Sequence, residues 1–390
     1  MNIDFINLKN EILQGVQRLI TTALLHQKTF NGFKNKHKGQ TVILIGAGPT
    51  LNYFEPIKNA IYVGANRTFL YKDVDFDYLF TIDKAGLETK SEDYYEQFFA
   101  YRPNHCIKFV GDQNLGEMYQ ISESKISDSN ARRYKTTAGN LISKFTFDIE
   151  SEALGNFCSV ALQAIQFILY TNPSKIYLVG IDCNVSRFGH FTGATNKLSN
   201  ERNEDLDSNT FQCIKAWSEL KNFLKIYYPD TQIISVNPVG LKGIFDEVYT
   251  EKYLYSNDKL RFDNDFREFM MYPTKHYLQK IMFTKQFEDL VNKLQNKKVI
   301  IYGTGALFQS VCNMFDLRKL NIISVSDKKY LSEEEFFGYK AIPPKMIFDI
   351  GADCILVAVQ EYERIIEDFK QKAPDYMEIM PLARKFEGIK

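Results

Sequence analysis

The chain has 390 residues, 48 Lys and Arg against 48 Asp and Glu for a net charge of zero, and 45% hydrophobic residues. Such a length accommodates two or three domains, and the hydrophobic share excludes a disordered chain. The charge balance speaks against nucleic acid as the main partner, because neutralising phosphates needs a basic excess.

The six cysteines are scattered, form no CxxC and mostly lie in apolar runs. That pattern reads as reduced thiols in a cytoplasmic core, with neither a disulfide framework nor a zinc site. The opening MNIDFINLKN has no signal-peptide character, and no stretch reaches the ~18 apolar residues of a membrane span. The expectation is a soluble cytoplasmic protein whose membrane contact, if it has any, is peripheral and on the inner face.

Residues 3–29 carry Ile6, Ile12, Leu13, Val16, Leu19, Ile20 and Leu24 at helical spacing, which predicts one or two amphipathic helices. Their stripe suits packing on the protein's own core; a homo-oligomer or partner interface is the other reading. GFKNKHKGQ (32–40) reads as a solvated basic loop, so residues 1–40 form an N-terminal helical arm.

TVILIGAGPT (41–50) is a buried parallel strand running into a Gly-rich turn. Further strands are read at 60–66, 77–83, 104–111, 175–182 and 232–238. Helices are read at 156–171 and 208–228. Strands alternating with helices predict an α/β fold over 41–250, a doubly wound, mostly parallel Rossmann-like sheet. Residues 251–295 read as a helical connector. KKVIIYGTGALFQSVCNMF (297–315), NIISVSD (321–327) and DCILVAV (353–359) then predict a second, smaller Rossmann-like domain over 296–390.

In the first turn, Gly46 and Gly48 permit close approach of backbone N–H groups to an anion, Pro49 sets φ, and Thr50 supplies a hydroxyl or a cap. A structural tight turn is the plain alternative. Leu51 stands where a dinucleotide fingerprint has its last glycine, which argues against an NAD site. Ala65-Asn66-Arg67 and Thr81-Ile82-Asp83 end the next two strands, and open α/β sheets bind ligands at such carboxyl ends.

Four motifs in order, FKNKHKGQTVILIGAGPTL, YVGANRTF, FTID and YLVGIDCN, resemble a bacterial superfamily. It unites the family 42 sialyltransferases with proteins similar to 6-hydroxymethylpterin diphosphokinase, typical of surface-polysaccharide clusters. The resemblance covers roughly residues 34–245. It implies nucleotide contacts at Gly46, Ala47, Gly48, Pro49, Thr50 and Asn66. Ala47 and Asp83 follow the diphosphokinase-like branch, where the sialyltransferases carry Asn. A carboxylate beside phosphates calls for a divalent cation, so Asp83 would hold Mg2+ under that alternative and no metal is expected otherwise.

Asn156 and Ser159 precede a long helix and read either as phosphate or ribose contacts or as ordinary caps. Gly180 and Asp182 match the superfamily's G-[IQ]-D motif, with Asp182 binding ribose, orienting a histidine or capping a turn. Cys183-Asn184 replace the aromatic pair of the sialyltransferases.

His190, in the polar SRFGHFTGAT, is the general-base candidate. The resemblance places a catalytic histidine in a lid region there; a loop histidine without chemistry is the alternative. His26, His37 and His105 read as structural or surface residues. Arg187, Lys197 and the Arg132-Arg133 pair read as phosphate partners or as surface charges.

In the second domain Gly303, Gly305 and Asp327 repeat a strand, Gly turn and acid arrangement, although Phe308 replaces the last fingerprint glycine. Retained nucleotide binding and a scaffold role both fit.

The leading expectation is a transferase acting on a nucleotide-activated donor and a glycan acceptor: a sialyltransferase-like glycosyltransferase, with a CMP-sugar as the nearest donor. The alternatives are an ATP- and Mg2+-dependent diphosphotransferase and a non-catalytic nucleotide-sugar-binding scaffold.

Overall fold

The computed structural model describes residues 5–82, 92–112, 123–137, 144–157, 159–183, 191 and 204–385. The chain divides into two compact units, Met1–Phe266 and Arg267–Lys390, with the division inside the stretch read as a helical connector.

The first unit opens with one helix, α1 (Phe5–Phe30), followed by β1 (Thr41–Ile45), β2 (Ile61–Ala65), β3 (Tyr78–Thr81), α2 (Glu92–Ala100) and β4 (Ile107–Asp112). Then come α3 (Glu123–Asp128), β5 (Ala131–Lys135), α4 (Val160–Tyr170), β6 (Lys175–Val179), α5 (Glu204–Tyr227), β7 (Gln232–Val236), β8 (Asp246–Val248) and α6 (Glu251–Leu254). Eight strands form one sheet in the order β5-β4-β3-β2-β1-β6-β7-β8, and every neighbouring pair is parallel.

A strand buried on both faces is hydrophobic at every position, and β1 shows this directly. Val42 and Leu44 face a core with Phe30, Phe80, Phe109, the α4 side chains and Trp217. Ile43 and Ile45 face a second core with Phe69 and the α2 residues Tyr94, Tyr95, Phe98 and Phe99. The sheet is doubly wound, as its alternation of strands and helices predicts. Helix α4 is buried along its whole length and packs on β1, β2 and β3. The first core is largely aromatic, with Phe80 stacked on Phe109 at 4.6 Å and Phe109 against Phe167 at 4.8 Å.

Three expectations for this unit change. The segment 32–40 is not a solvated linker: Phe33 and His37 are buried, and the N–H groups of Asn35 and His37 bond the carbonyls of Tyr170 and Thr171. Arg132 and Arg133 do not form a free basic spot, because they lie in β5. Arg132 donates to the Thr29 carbonyl at 2.6 Å and lies over the Phe33 ring, and the Arg133 carbonyl accepts from Thr29 Oγ1. Lastly, the apolar stripe of α1 does not pack on its own core. Among the described residues of the helix only Thr22, His26, Thr29 and Phe30 are buried; Ile12, Leu13, Val16, Leu19, Ile20 and Leu24 are exposed.

Helix α7 (Asn257–Lys280) carries the boundary between the units. The second unit continues with α8 (Phe283–Lys293), β9 (Val299–Tyr302), α9 (Ala306–Met314), β10 (Ile322–Ser326), β11 (Glu334–Phe336) and β12 (Tyr339–Ile342). It ends with β13 (Cys354–Val357), α10 (Glu363–Lys370) and β14 (Glu378–Pro381). Its sheet runs β11-β12-β10-β9-β13-β14, parallel except for the antiparallel edge pair β11–β12. The parallel strands thus have the half-Rossmann order, with β9 as the first strand at the centre. Val299 and Ile301 face one core while Ile300 and Tyr302 face the other. Among the described residues no helix is long and apolar enough to cross a membrane.

Candidate functional site

The strand order of the first unit marks the candidate place for a ligand. The chain lays down β1 to β5 in one direction, then returns to set β6 on the other side of β1. Open α/β sheets bind ligands outside the carboxyl ends of the strands at such a reversal. The carboxyl ends of β1 and β6 are the turns at Gly46–Thr50 and Gly180–Asp182, so both predicted segments meet at this point.

At the base of this reversal the two turns are zipped to each other. The N–H of Gly46 donates to the Val179 carbonyl at 2.8 Å, and that of Gly48 to the Gly180 carbonyl at 2.9 Å. A Cβ on Gly46 would lie 2.6 Å from the Gly180 carbonyl oxygen, and one on Gly180 would lie 2.5 Å from that of Gly46. Gly180 also adopts φ +62, which favours glycine. These glycines therefore let backbone approach backbone. The expectation that the Gly46 and Gly48 amides face a phosphate is corrected: both are spent on β6.

Thr50 and Asp182 are likewise spent on each other. The Asp182 carboxylate accepts from the Thr50 N–H at 3.0 Å and from the Thr50 hydroxyl. Both residues are buried, and the Gly240 N–H bonds the Asp182 carbonyl at 2.7 Å, closing the chain after β7 over it. Burial pushes the Asp182 carboxyl up to about 6, with the two Thr50 bonds acting in the opposite direction. Asp182 is thus the cap of the turn after β1, one of the three roles that the sequence left open to it. Pro49 starts the short 3-10 turn Pro49–Tyr53 that this pair holds. Ala47 and Gly48 are the half-buried part of the turn, and the Ala47 carbonyl accepts the N–H of Phe191 at 3.1 Å. The Phe191 ring packs edge-on against Tyr71.

The neighbouring strand ends follow one rule. Asn66, Gly180 and Asn237, the first residues after β2, β6 and β7, all have positive φ, so each strand turns sharply at the sheet's edge. Asn66 is half-buried, with its Oδ1 3.4 Å from the Thr81 hydroxyl, which in turn bonds Tyr94. Asn237 accepts from the Thr250 N–H at 2.8 Å and donates to its hydroxyl at 3.0 Å, tying β7 to the start of α6.

Asn156 has its N–H on Thr137 Oγ1 and its Oδ1 accepting from Gln163 Nε2, both at 3.2 Å. Ser159 precedes α4 without a side-chain cap, so of the two it is the one left facing the helix start. His190, Asp83, Asn184, Arg187 and Lys197 lie outside the described residues. Among the described residues no group of three or more His, Cys, Asp and Glu side chains is arranged to hold a metal ion.

Sequence reasoning missed the aromatic wall beside the Asp182 cap. Tyr253 is fully buried, stacks on Phe262 and Tyr249 and meets Tyr53 edge-on, while Tyr53 donates to Asp258 at 2.6 Å. The density of tyrosine over 249–255 was the available signal.

The second unit repeats the device with a different outcome. Thr304 follows β9, and its N–H and hydroxyl both bond Asp327 Oδ2, at 2.7 and 3.1 Å. The Lys329 N–H adds a bond to Oδ1 at 3.3 Å. Burial works against the charge of Asp327, but the bonds from Thr304 and Lys329 outweigh it and hold the carboxyl below its usual range. Gly303 has φ +96 and lies against Ala358 and Val359. Gly305 is exposed and precedes α9 without a side-chain cap, and a Cβ there would meet nothing within 4 Å. Asp327 therefore holds Thr304, and Gly305 is the open position of this turn.

Residues 295–379, inside the second unit, match the family described as C2185-like, N-terminal. Among solved structures the chain is similar to the MAf glycosyltransferase from Magnetospirillum magneticum AMB-1, with 13% identity and a TM-score of 0.36 over 60% of this chain. The match spans 38% of that protein's length. No curated protein sequence matches the chain. Neither match names the superfamily that the motifs of 34–245 resemble.

Proposed function

We propose that the first unit is a nucleotide-dependent transferase, and specifically a glycosyltransferase, acting at the carboxyl edge of the sheet between β1 and β6. The observation that carries this reading is the strand reversal there, where two motifs of the superfamily resemblance, GAGPTL and GID, come together. Gly46, Gly48, Thr50, Gly180 and Asp182 build the rigid base. Donor contacts fall to the groups around that base: Ala47, Asn66 and the start of α4 at Ser159, whose first N–H groups favour an anion. His190 takes the proton of the acceptor hydroxyl, and its chain neighbour Phe191 is bonded to the turn at Ala47.

A thermal-shift panel with CMP, CMP-sugar, UDP-sugar, GDP-sugar and ATP, each with and without Mg2+, tests the reading. A ligand at about 100 times its Kd stabilises the folded state by about 2.7 kcal/mol, which such a scan resolves. The expected result is a shift with a nucleotide sugar. A shift with ATP and Mg2+ alone would replace the glycosyltransferase by the diphosphotransferase. Silence from every nucleotide would remove nucleotide use altogether. His190→Ala should abolish turnover and leave the donor-induced shift unchanged; full turnover would take His190 out of the mechanism.

A further inference from the structure

The carboxyl edge of the first sheet is poor in charge. In residues 46–53, 66–70, 180–183 and 237–241, which follow β1, β2, β6 and β7, the charged side chains are Arg67 and Asp182. Asp182 is buried and accepts both bonds from Thr50. Arg67 stands on the strand end beside the Gly turn, because β2 pairs with β1 as far as Gly64 and Ile45. Asn66 turns the chain there at φ +55, and the short 3-10 helix Asn66–Leu70 buries Thr68 and Phe69 while Arg67 stays half-buried. Its guanidinium lies over the Tyr94 ring, 5.4 Å from the centroid. Tyr94 is itself fixed: its ring stacks on Phe98 and meets Phe69, and its hydroxyl bonds the Thr81 hydroxyl at 2.9 Å. Thr81 is in turn 3.4 Å from Asn66 Oδ1. Arg67 and Asn66 thus rest on one support at the ends of β2 and β3.

A nucleotide brings at least one phosphate, and its charge has to be met. The Gly46 and Gly48 amides do not meet it, since they are bonded to the Val179 and Gly180 carbonyls. The N–H groups at the start of α4 carry only a partial charge. A guanidinium carries a full one and offers its donors in a planar fork that matches two phosphate oxygens. The contact with the Tyr94 ring is made to a π-face and uses none of the N–H groups of Arg67. A purely structural tie between this turn and α2 needs packing on Tyr94, which an aliphatic side chain supplies without the cost of half-burying a charge. We infer that Arg67 is the phosphate-binding residue of this site, and that the site takes a nucleoside phosphate in preference to the free nucleoside. This role presupposes the nucleotide reading of the first unit and names the group that meets the donor's charge.

Calorimetric titration of the full chain, Arg67→Ala and Arg67→Lys with CMP, UDP, GDP and ATP, each beside its nucleoside and with and without Mg2+, tests this. A nucleotide that binds the wild type should bind Arg67→Ala about 10- to 100-fold more weakly, the range for hydrogen bonds to a charged group. Arg67→Lys keeps the charge without the fork and should fall between the two. The matching nucleoside should bind wild type and Arg67→Ala alike. Added salt should weaken the nucleotide more steeply in the wild type than in Arg67→Ala, which has one ion pair fewer to screen. The urea midpoint followed by the buried Trp217 reports that each variant is folded. An unchanged nucleotide affinity in Arg67→Ala would overturn the role of Arg67 and leave the nucleotide reading standing. A loss shared equally by nucleotide and nucleoside, with the salt dependence unmoved, would make Arg67 a prop for Asn66 and overturn it as well. A wild type that binds none of the nucleotides would remove both.

Discussion

Replacing Asp182 by Asn tests the cap at the base of the site through its charge. The carboxyl is buried, and its folded-state value of about 6 lies above the ordinary 3.8. For an acid whose value is raised on folding, the native state binds more protons than the unfolded chain between the two values. Stability then falls as pH rises through this window. The window is 6 minus 3.8, or 2.2 pH units, and at about 1.36 kcal/mol for each it amounts to roughly 3 kcal/mol. That destabilisation is fully developed above pH 6 and relieved below the unfolded value. An asparagine amide cannot ionise, so the variant keeps the shape of the protonated acid at every pH. The stability of the variant relative to wild type should therefore improve by about 2.4 kcal/mol between pH 4 and pH 7. The single tryptophan, Trp217, is buried in the first unit, so its fluorescence in urea follows that unit without the second. Thr50→Val removes a hydroxyl that stabilises the charged form and should extend the upper edge of the window to higher pH. A difference between Asp182→Asn and wild type that stays flat from pH 4 to pH 7 would refute a buried, ionising Asp182.

Two further outcomes follow from the same geometry. Gly180→Ala sets a Cβ against the Gly46 carbonyl and forces a positive φ on alanine, and should cost about 2–5 kcal/mol by urea unfolding, whereas Gly305→Ala, in open space at φ −77, should change the thermal midpoint little. Equal effects of the two would refute backbone contact as the reason for Gly180. His26 donates from Nδ1 to a carbonyl and accepts at Nε2 from an N–H, which fixes the neutral form, and burial lowers its pKa. As pH falls below 6.5 the unfolded chain gains a proton that the folded chain resists, so wild type loses stability towards acid. His26→Leu should be less stable than wild type at pH 8, by about 1–3 kcal/mol for the two orphaned backbone groups, with the gap narrowing towards pH 5. A gap independent of pH would mean that His26 titrates freely.

Most of the sheet was legible because a parallel strand buried on both faces is a short aliphatic run, as TVILI and KIYLV are. The strand ARRYK was not. It is the edge strand β5, and its charges are accommodated because α1 covers it: the Thr29 carbonyl takes Arg132, and His26 takes the Lys135 N–H. Strand β8 is three exposed residues, too short for any period. The amphipathic character of α1 was plain, but a stripe reads the same whether its own core covers it or leaves it exposed. At the candidate site, the two Gly turns at the strand ends were legible and the bonds that join them were not. Asp182 and Thr50 are 132 positions apart, and an acid after a Gly turn looks alike whether it waits for a ribose or already holds a threonine.

The two units solve one mechanical problem in one way. A central parallel strand must bend sharply at its end, and the threonine after the bend is pinned by an aspartate from the adjoining strand end: Thr50 by Asp182, and Thr304 by Asp327. The pin decides where the next segment points. What surrounds the pin differs. In the first unit the glycines are filled by the opposite backbone, and the Asp182 carboxyl is pushed up to about 6 by burial. In the second, Gly305 faces open space and Asp327 is held below its usual range. A closed, weakly acidic base gives stiffness to groups that project from it, which is what the proposed transferase would need to hold donor and acceptor in register. Under the proposed function, a variant of Thr50 or Asp182 should therefore misplace Ala47 and Asn66 and weaken donor affinity and turnover together. Donor affinity and turnover left at the wild-type level would take the pin out of the site.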